Sequence, residues 1–202
     1  MLEARRTFLE NLRNARDQSG LYDFLVGTII APFPFDDVLR FQLAYSVSAF
    51  DKLIHDIIRI GMVETFVGRR IPTPKYLAET ISIQQHSALA GATLPPAEFV
   101  FANIVARKLG AMSFQHPKKI SDGLSLVWAE TNKWDAIAVK LGAARGDVER
   151  RLILIADRRN AIVHQADMHP ITSVRQSISR VTVNEATDFL ERCGEAIVGL
   201  IV

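Results

Sequence analysis

The residues with most chemical capacity lie between positions 157 and 167, Asp-Arg-Arg-Asn-Ala-Ile-Val-His-Gln-Ala-Asp. They come late in an apolar-periodic segment that opens near Gly146-Asp147. With Asp147 as N-cap, Val148, Leu152, Ile155, Ile162 and Ala166 recur at helical spacing, which marks one buried stripe. Arg159 falls on that stripe, where an aliphatic residue is expected. An unpaired guanidinium is costly to bury, so Arg159 must meet an acidic or anionic partner or reach a wet interface. His164, five residues on, lies about 140° round an ideal helix. It shares a second face with Asp157 and Asn160, three and four residues being the spacing of neighbours on a helix surface. A fixed cation, an amide and a side chain of the type that titrates near neutral pH stand together. That set can bind and cleave a phosphodiester.

The elements that must position these residues read as helices. Residues 2–18 carry Leu2, Phe8, Leu9, Leu12 and Ala15 opposite a charged face, and Ser19-Gly20 is expected to stop them. Residues 21–31 are apolar and either extend the helical region or form a packed loop; Pro32 and Pro34 then break the chain. Asp36 or Asp37 caps a long helix to about Val67, with Leu39, Leu43, Val47, Phe50, Ile54, Ile57, Ile58 and Met62 as its stripe. Another helix is expected over 75–90 and one over 96–109, opened by Pro95-Pro96 and closed by Gly110. The stretch 115–119 reads as a polar loop, with Ser121 or Asp122 capping one or two core helices that end at Gly142. The motif helix is expected over 147–166 and an irregular link over 167–177. Ile178 to Val181 is briefly strand-like, and Thr182-x-x-Glu185 is a capping box for a last helix over 183–202. The expectation is an all-α bundle of about six to eight helices without significant sheet. It forms one domain over 1–202, with 1–31 as an N-terminal helical extension.

Composition narrows the function. Apolar residues make up 49% and charged residues 23%, the balance of a soluble globular chain. A net charge of +2 makes no general electrostatic case for nucleic acid, so any such binding must be local. Arginine outnumbers lysine 17 to 7, which favours bidentate contacts to carboxylate or phosphate. A single cysteine, Cys193, excludes an intrachain disulfide framework and a thiolate metal cluster. No signal peptide or membrane span is apparent, so a cytoplasmic protein is expected. There is no Gly-rich phosphate loop, HExxH or Gly-x-Ser-x-Gly. His55 reads as a core or interface histidine, His116 as solvated, and His169 as a residue able to reach the same pocket as His164. Arg69-Arg70 and Lys118-Lys119 read as solvated charges or a basic rim.

Arg159-Asn160 followed by Ala161-Ile162-Val163-His164, in a late helix of an all-α chain, resembles the Arg-x4-6-His motif of HEPN domains. The doubled Arg158-Arg159 and the tail Gln165-Ala166-Asp167 are most similar to the RiboL-PSP-HEPN branch. The resemblance implies a metal-independent endoribonuclease without cofactor. Catalysis would fall to Arg159, His164 and Asn160, with Asp157, Arg158, Asp167 and His169 as accessory candidates. It also implies an RNA substrate, a homodimer with a composite active site, and a phage-defence or toxin–antitoxin setting with an antitoxin or partner protein. The alternative is a non-catalytic RNA- or nucleotide-binding or dimerisation module of the same fold.

Overall fold

The computed structural model describes residues 1–201 and contains, among them, nine helices and no strand beyond one isolated bridge, Met168 to Arg175. They are α1 (Leu2–Thr28), α2 (Asp36–Phe66), α3 (Pro74–Leu77), α4 (Ile83–Ala90), α5 (Ala97–Leu109), α6 (Pro117–Leu124), α7 (Lys133–Leu141), α8 (Arg145–Gln165) and α9 (Arg180–Ile201). The all-α bundle expected from periodicity is what forms.

The central helix is α2, because its apolar residues run nearly without gap along one side. Leu39, Leu43, Val47, Phe50, Leu53, Ile54, Ile57, Ile58 and Met62 are all buried. The buried stripe of α1, Ala4, Phe8, Leu12 and Ala15, lies against α2, and α9 closes the same core with Val183, Phe189, Leu190, Cys193 and Ile197. Val148, Leu152, Ile155 and Ala156 seat α8 on this base. Trp134 of α7 is buried with its indole N–H donated to the Pro117 carbonyl at 3.1 Å, the partner a buried indole needs. Cys193 is fully buried, and burial pushes its thiol up to about 12, so it is an inert packing residue.

A polar seam crosses the core. The Ser19 hydroxyl lies 2.7 Å from Gln42 Oε1 and 2.8 Å from Asn184 Oδ1, Gln42 Nε2 donates to the same Asn184 oxygen at 2.9 Å, and Ser46 meets Thr187 at 3.0 Å. Buried polar groups left unpaired are expensive, so these pairs fix the registers of α1, α2 and α9. They also explain why α1 does not stop at Ser19-Gly20. Ser19 is engaged by two neighbouring helices, and α1 continues to Thr28.

Other boundaries differ from expectation for equally local reasons. The single helix expected over 75–90 is two, α3 capped by Thr73 and α4 capped by Ser82 in a reciprocal box with Gln85. His116, not Ser121 or Asp122, caps α6, accepting from the Lys118 amide at 3.4 Å. Residues 180 and 181 are helical rather than strand-like, because Ser179 accepts the Thr182 amide at 3.2 Å and starts α9 before Thr182. Arg70 is no solvated loop charge. Its guanidinium donates to the carbonyls of Val127 and Ile201 at 3.1–3.2 Å, while Thr73 donates to the Ser125 carbonyl at 2.8 Å.

Gly194 and Gly199 on α9 provide a paired test of packing. A Cβ at Gly194 would stand 2.5 Å from the Phe8 ring and 2.8 Å from Leu53, whereas nothing lies within 4 Å of one at Gly199. Alanine gains up to about 1 kcal/mol of helix propensity over glycine, and overpacking costs roughly 1–3 kcal/mol. Gly194→Ala should therefore lower the urea midpoint, and Gly199→Ala should leave it unchanged or raise it.

Candidate functional site

The structure sorts the candidate residues of α8 into two groups. Arg158 and Asp167 belong to a buried clamp. The α8 helix ends with Ala166 and Asp167 both at positive φ, 50° and 60°, a conformation that costs a non-glycine residue roughly 1–2 kcal/mol. Asp167 is fully buried there, and its Oδ2 accepts from Arg40 Nε at 2.7 Å and from Arg158 Nη2 at 2.9 Å. The spare donors of both arginines go to the chain that follows. Arg40 donates to the Gln176 carbonyl at 2.7 Å and Arg158 to the Ser177 carbonyl at 2.9 Å. One carboxylate thus ties α2, the C-terminus of α8 and the 167–177 link together. Placing the negative partner between two cations offsets much of its desolvation.

His169 belongs to the same link. Its Nδ1 lies 3.3 Å from the amides of both Ile171 and Thr172, and its own amide donates to the Val174 carbonyl at 2.9 Å. Its ring supports the turn of that link.

Arg159, Asn160 and His164 form the second group. Asn160 and His164 are exposed and Arg159 is half-buried. Arg159 Nη1 donates to Asn160 Oδ1 at 3.2 Å, and Arg159 Nε is buried without any partner. The cation on the apolar stripe therefore keeps unspent donors. Asp157 is exposed on the same helix.

Two residues that periodicity did not mark complete the surroundings. Arg40 is one, a buried arginine beside the apolar stripe of α2. Asp51 is the other. Burial raises its carboxyl above the usual range, against the Phe114 amide and the charges of His55, Arg159 and Lys119, which favour its ionised form. Its place one turn before His55 was the available signal.

The RiboL-PSP-HEPN family model matches residues 9–202, nearly the whole chain. The chain belongs to the RiboL-PSP-HEPN family. No curated protein and no solved structure gives a match. The family match covers all nine helices among the described residues, α1 from its third turn onward, and includes both groups of candidate residues of this HEPN chain. Among the described residues, no helix of this RiboL-PSP-HEPN chain is long and apolar enough to cross a membrane.

The clamp predicts a contrast along one short stretch. Asp167→Ala strands two arginines in a buried site and should cost about 3–5 kcal/mol, the range for breaking one side of a buried ion pair. Asp157→Ala, at an exposed position, should change stability by no more than about 0.5 kcal/mol. Equilibrium urea unfolding measures both.

Proposed function

We propose that this chain is a metal-independent endoribonuclease of HEPN type, with Arg159, His164 and Asn160 as its catalytic residues. The observation that carries the reading is Arg159. It is a permanent cation held against the core, with its Nε unpartnered and an uncharged amide as its hydrogen-bond acceptor. Such a group is prepared for an anion that arrives from outside, and a phosphodiester is the anion whose geometry a guanidinium fork matches.

RNA carries its own nucleophile, the 2′-hydroxyl beside the scissile phosphate. A base removes the 2′-hydroxyl proton as O2′ bonds to phosphorus. The P–O5′ bond breaks, and an acid returns a proton to O5′. The products are a 2′,3′-cyclic phosphate and a 5′-hydroxyl, with no water consumed in this step. His164, exposed at the end of α8, supplies one of the two proton transfers. Arg159 stabilises the charge that gathers on the non-bridging oxygens. Asn160 holds the guanidinium through Oδ1.

One histidine cannot take and give a proton in the same concerted step. A homodimer resolves this by bringing His164 of the partner subunit to the opposite side of the phosphate. Val163, Met168, Ile171 and Val174 expose apolar surface at and just beyond the end of α8, where a second copy would cover it. A role in phage defence or as the toxin of a toxin–antitoxin pair, with an antitoxin as further partner, fits a nuclease that must be held in check.

Labelled single-stranded RNA incubated in EDTA tests the activity, with cyclic-phosphate ends expected. Arg159→Lys keeps the charge and loses the fork, so cleavage should fall by about 100-fold or more while RNA binding survives. His164→Ala should abolish cleavage with an unchanged melting temperature, and Asn160→Ala should give a partial loss. RNA binding without cleavage in the native protein would leave the non-catalytic module. Cleavage that EDTA stops and magnesium restores would overturn the metal-independent mechanism.

The dimer has its own check. Light scattering at micromolar concentration should give twice the chain mass, and Val163→Glu with Ile171→Glu should halve it and remove cleavage together.

A further inference from the structure

The helices α3 and α4 contribute no fully buried residue, so they roof a space beside α2 and α5 instead of filling it. The cavity left there has a volume of about 290 Å³. Its floor is apolar: Met62 and Val105 are buried, and the Phe66 and Phe101 rings stack at 4.4 Å with 11° between their planes. Leu77 and Ile81 also line it, yet they stay 69% and 42% exposed. That is apolar surface an occupant would cover. None of the lining residues belongs to α8, so the cavity is separate from the candidate residues of the motif helix.

Two donors on this cavity are held by the caps of the helices that carry them. The Thr73 hydroxyl accepts the Tyr76 amide at 3.0 Å and itself donates to the Ser125 carbonyl at 2.8 Å, which fixes Tyr76 on α3. The Tyr76 ring is half-buried, and burial raises its phenol above the ordinary value with no charged or hydrogen-bonding neighbour acting on it. Its hydroxyl is therefore a neutral donor without a protein partner among the described residues. Gln85 is fixed by the reciprocal box of α4, where its Oε1 accepts the Ser82 amide at 2.8 Å and its own amide donates to Ser82 Oγ at 3.1 Å. A backbone N–H can be met only by the side-chain oxygen, so the Nε2 donors are the part of Gln85 left over. The ionised lining residues, Glu79 and Lys108, bond each other. The cavity thus presents unspent donors and no net charge, and an unpaired ion would be costly to bury there.

We propose that this cavity binds a small uncharged molecule, its apolar body against the Phe66–Phe101 stack and its acceptor atom taking the Tyr76 hydroxyl proton, with Gln85 Nε2 as a second donor. The volume suits a ligand of one or two rings, at the small end of ligand pockets. With Lys108 spent on Glu79, no lining cation is free for a phosphate, which sets this ligand apart from RNA. The inference does not depend on the nuclease reading, and neither requires the other.

Three probes of one size separate the ligand classes. Benzamide, benzoate and benzylamine carry the same ring with a neutral, an anionic and a cationic head at neutral pH. Methyl NMR of the native chain reads their binding at Leu77, Ile81, Leu89 and Ile104, which line the cavity. Benzamide at millimolar concentration should shift these methyls saturably, and the two charged probes should bind about tenfold or more weakly. Tyr76→Phe should weaken benzamide by about three- to tenfold, the worth of one hydrogen bond. Leu89→Trp puts an indole into the cavity from a helix without buried residues, so binding should vanish while the melting temperature holds. No saturable shift with benzamide overturns the proposal, and equal or tighter binding of either charged probe overturns the uncharged class. Native affinity in Tyr76→Phe overturns the role of the hydroxyl, and native affinity in Leu89→Trp overturns the site itself. If the same methyls shift when the native chain is diluted without a probe, a second copy covers the cavity and the proposal falls.

Discussion

The Asp167 carboxylate, shared by Arg40 and Arg158, is the interaction on which the motif end of the molecule depends. Without it, the two left-handed residues that end α8 would have no compensation for their strain. The link to α9 would also lose the arginine donors that hold the Gln176 and Ser177 carbonyls. The choice of arginine at both positions follows from geometry. Arg40 serves the carboxylate with Nε and a backbone carbonyl with Nη2, and Arg158 reaches both acceptors from Nη2, which a lysine ammonium on a flexible stem would do less rigidly. The clamp also separates the tasks of two adjacent arginines. Arg158 is consumed by structure, and Arg159, one residue on, keeps its Nε unpartnered.

Asp51 and Asp167 represent opposite uses of a buried acid. Asp167 has no exposure and bonds its cations directly, which makes it a structural joint. Asp51 keeps some exposure, bonds a backbone amide, and lies 3.7 Å from His55 Nδ1. Only Asp167 engages α8, so the helix carrying the candidate residues is held by charge at its C-terminal end, through Arg158, and by the apolar stripe of Val148, Leu152 and Ile155 against the bundle.

Much of this was legible in the sequence where a pattern repeats. The stripe of α2 follows from apolar spacing, as does that of α8 as far as Ile155, because burial on one face is what makes a helix periodic; beyond it Ile162 is only half-buried, and Ala166, expected on the stripe, is exposed past the end of the helix. Arg159, Asn160 and His164 stood out because a charge on a buried stripe is a local contradiction. Boundaries set by tertiary partners were not legible. Ser19 reads as a breaker until Gln42 and Asn184 engage it, and Ser179 starts α9 before the Thr182 signal. Arg40 and Asp51 escaped notice for the same reason. The buried acid that Arg40 meets is 127 residues away in the chain, and Asp51 looks like an ordinary polar helix residue until the Phe114 amide is placed beside it.

The segment from Arg70 to Leu109 has a different relation to the whole. It is anchored at its start by Arg70 and Thr73, which donate to the carbonyls of Val127, Ile201 and Ser125, and at its end by the approach of His55 to Leu109. Between these anchors, α3 and α4 contribute no buried residue. Substitutions there disturb little of the core, and a changed loop length adds only a slowly growing closure entropy. The α3–α4 part of this stretch can therefore drift, lengthen or acquire new surface chemistry over evolutionary time, while α5 stays fixed by Phe101 and Val105 in the core and the motif helix keeps its frame. Divergence between related chains should concentrate there first.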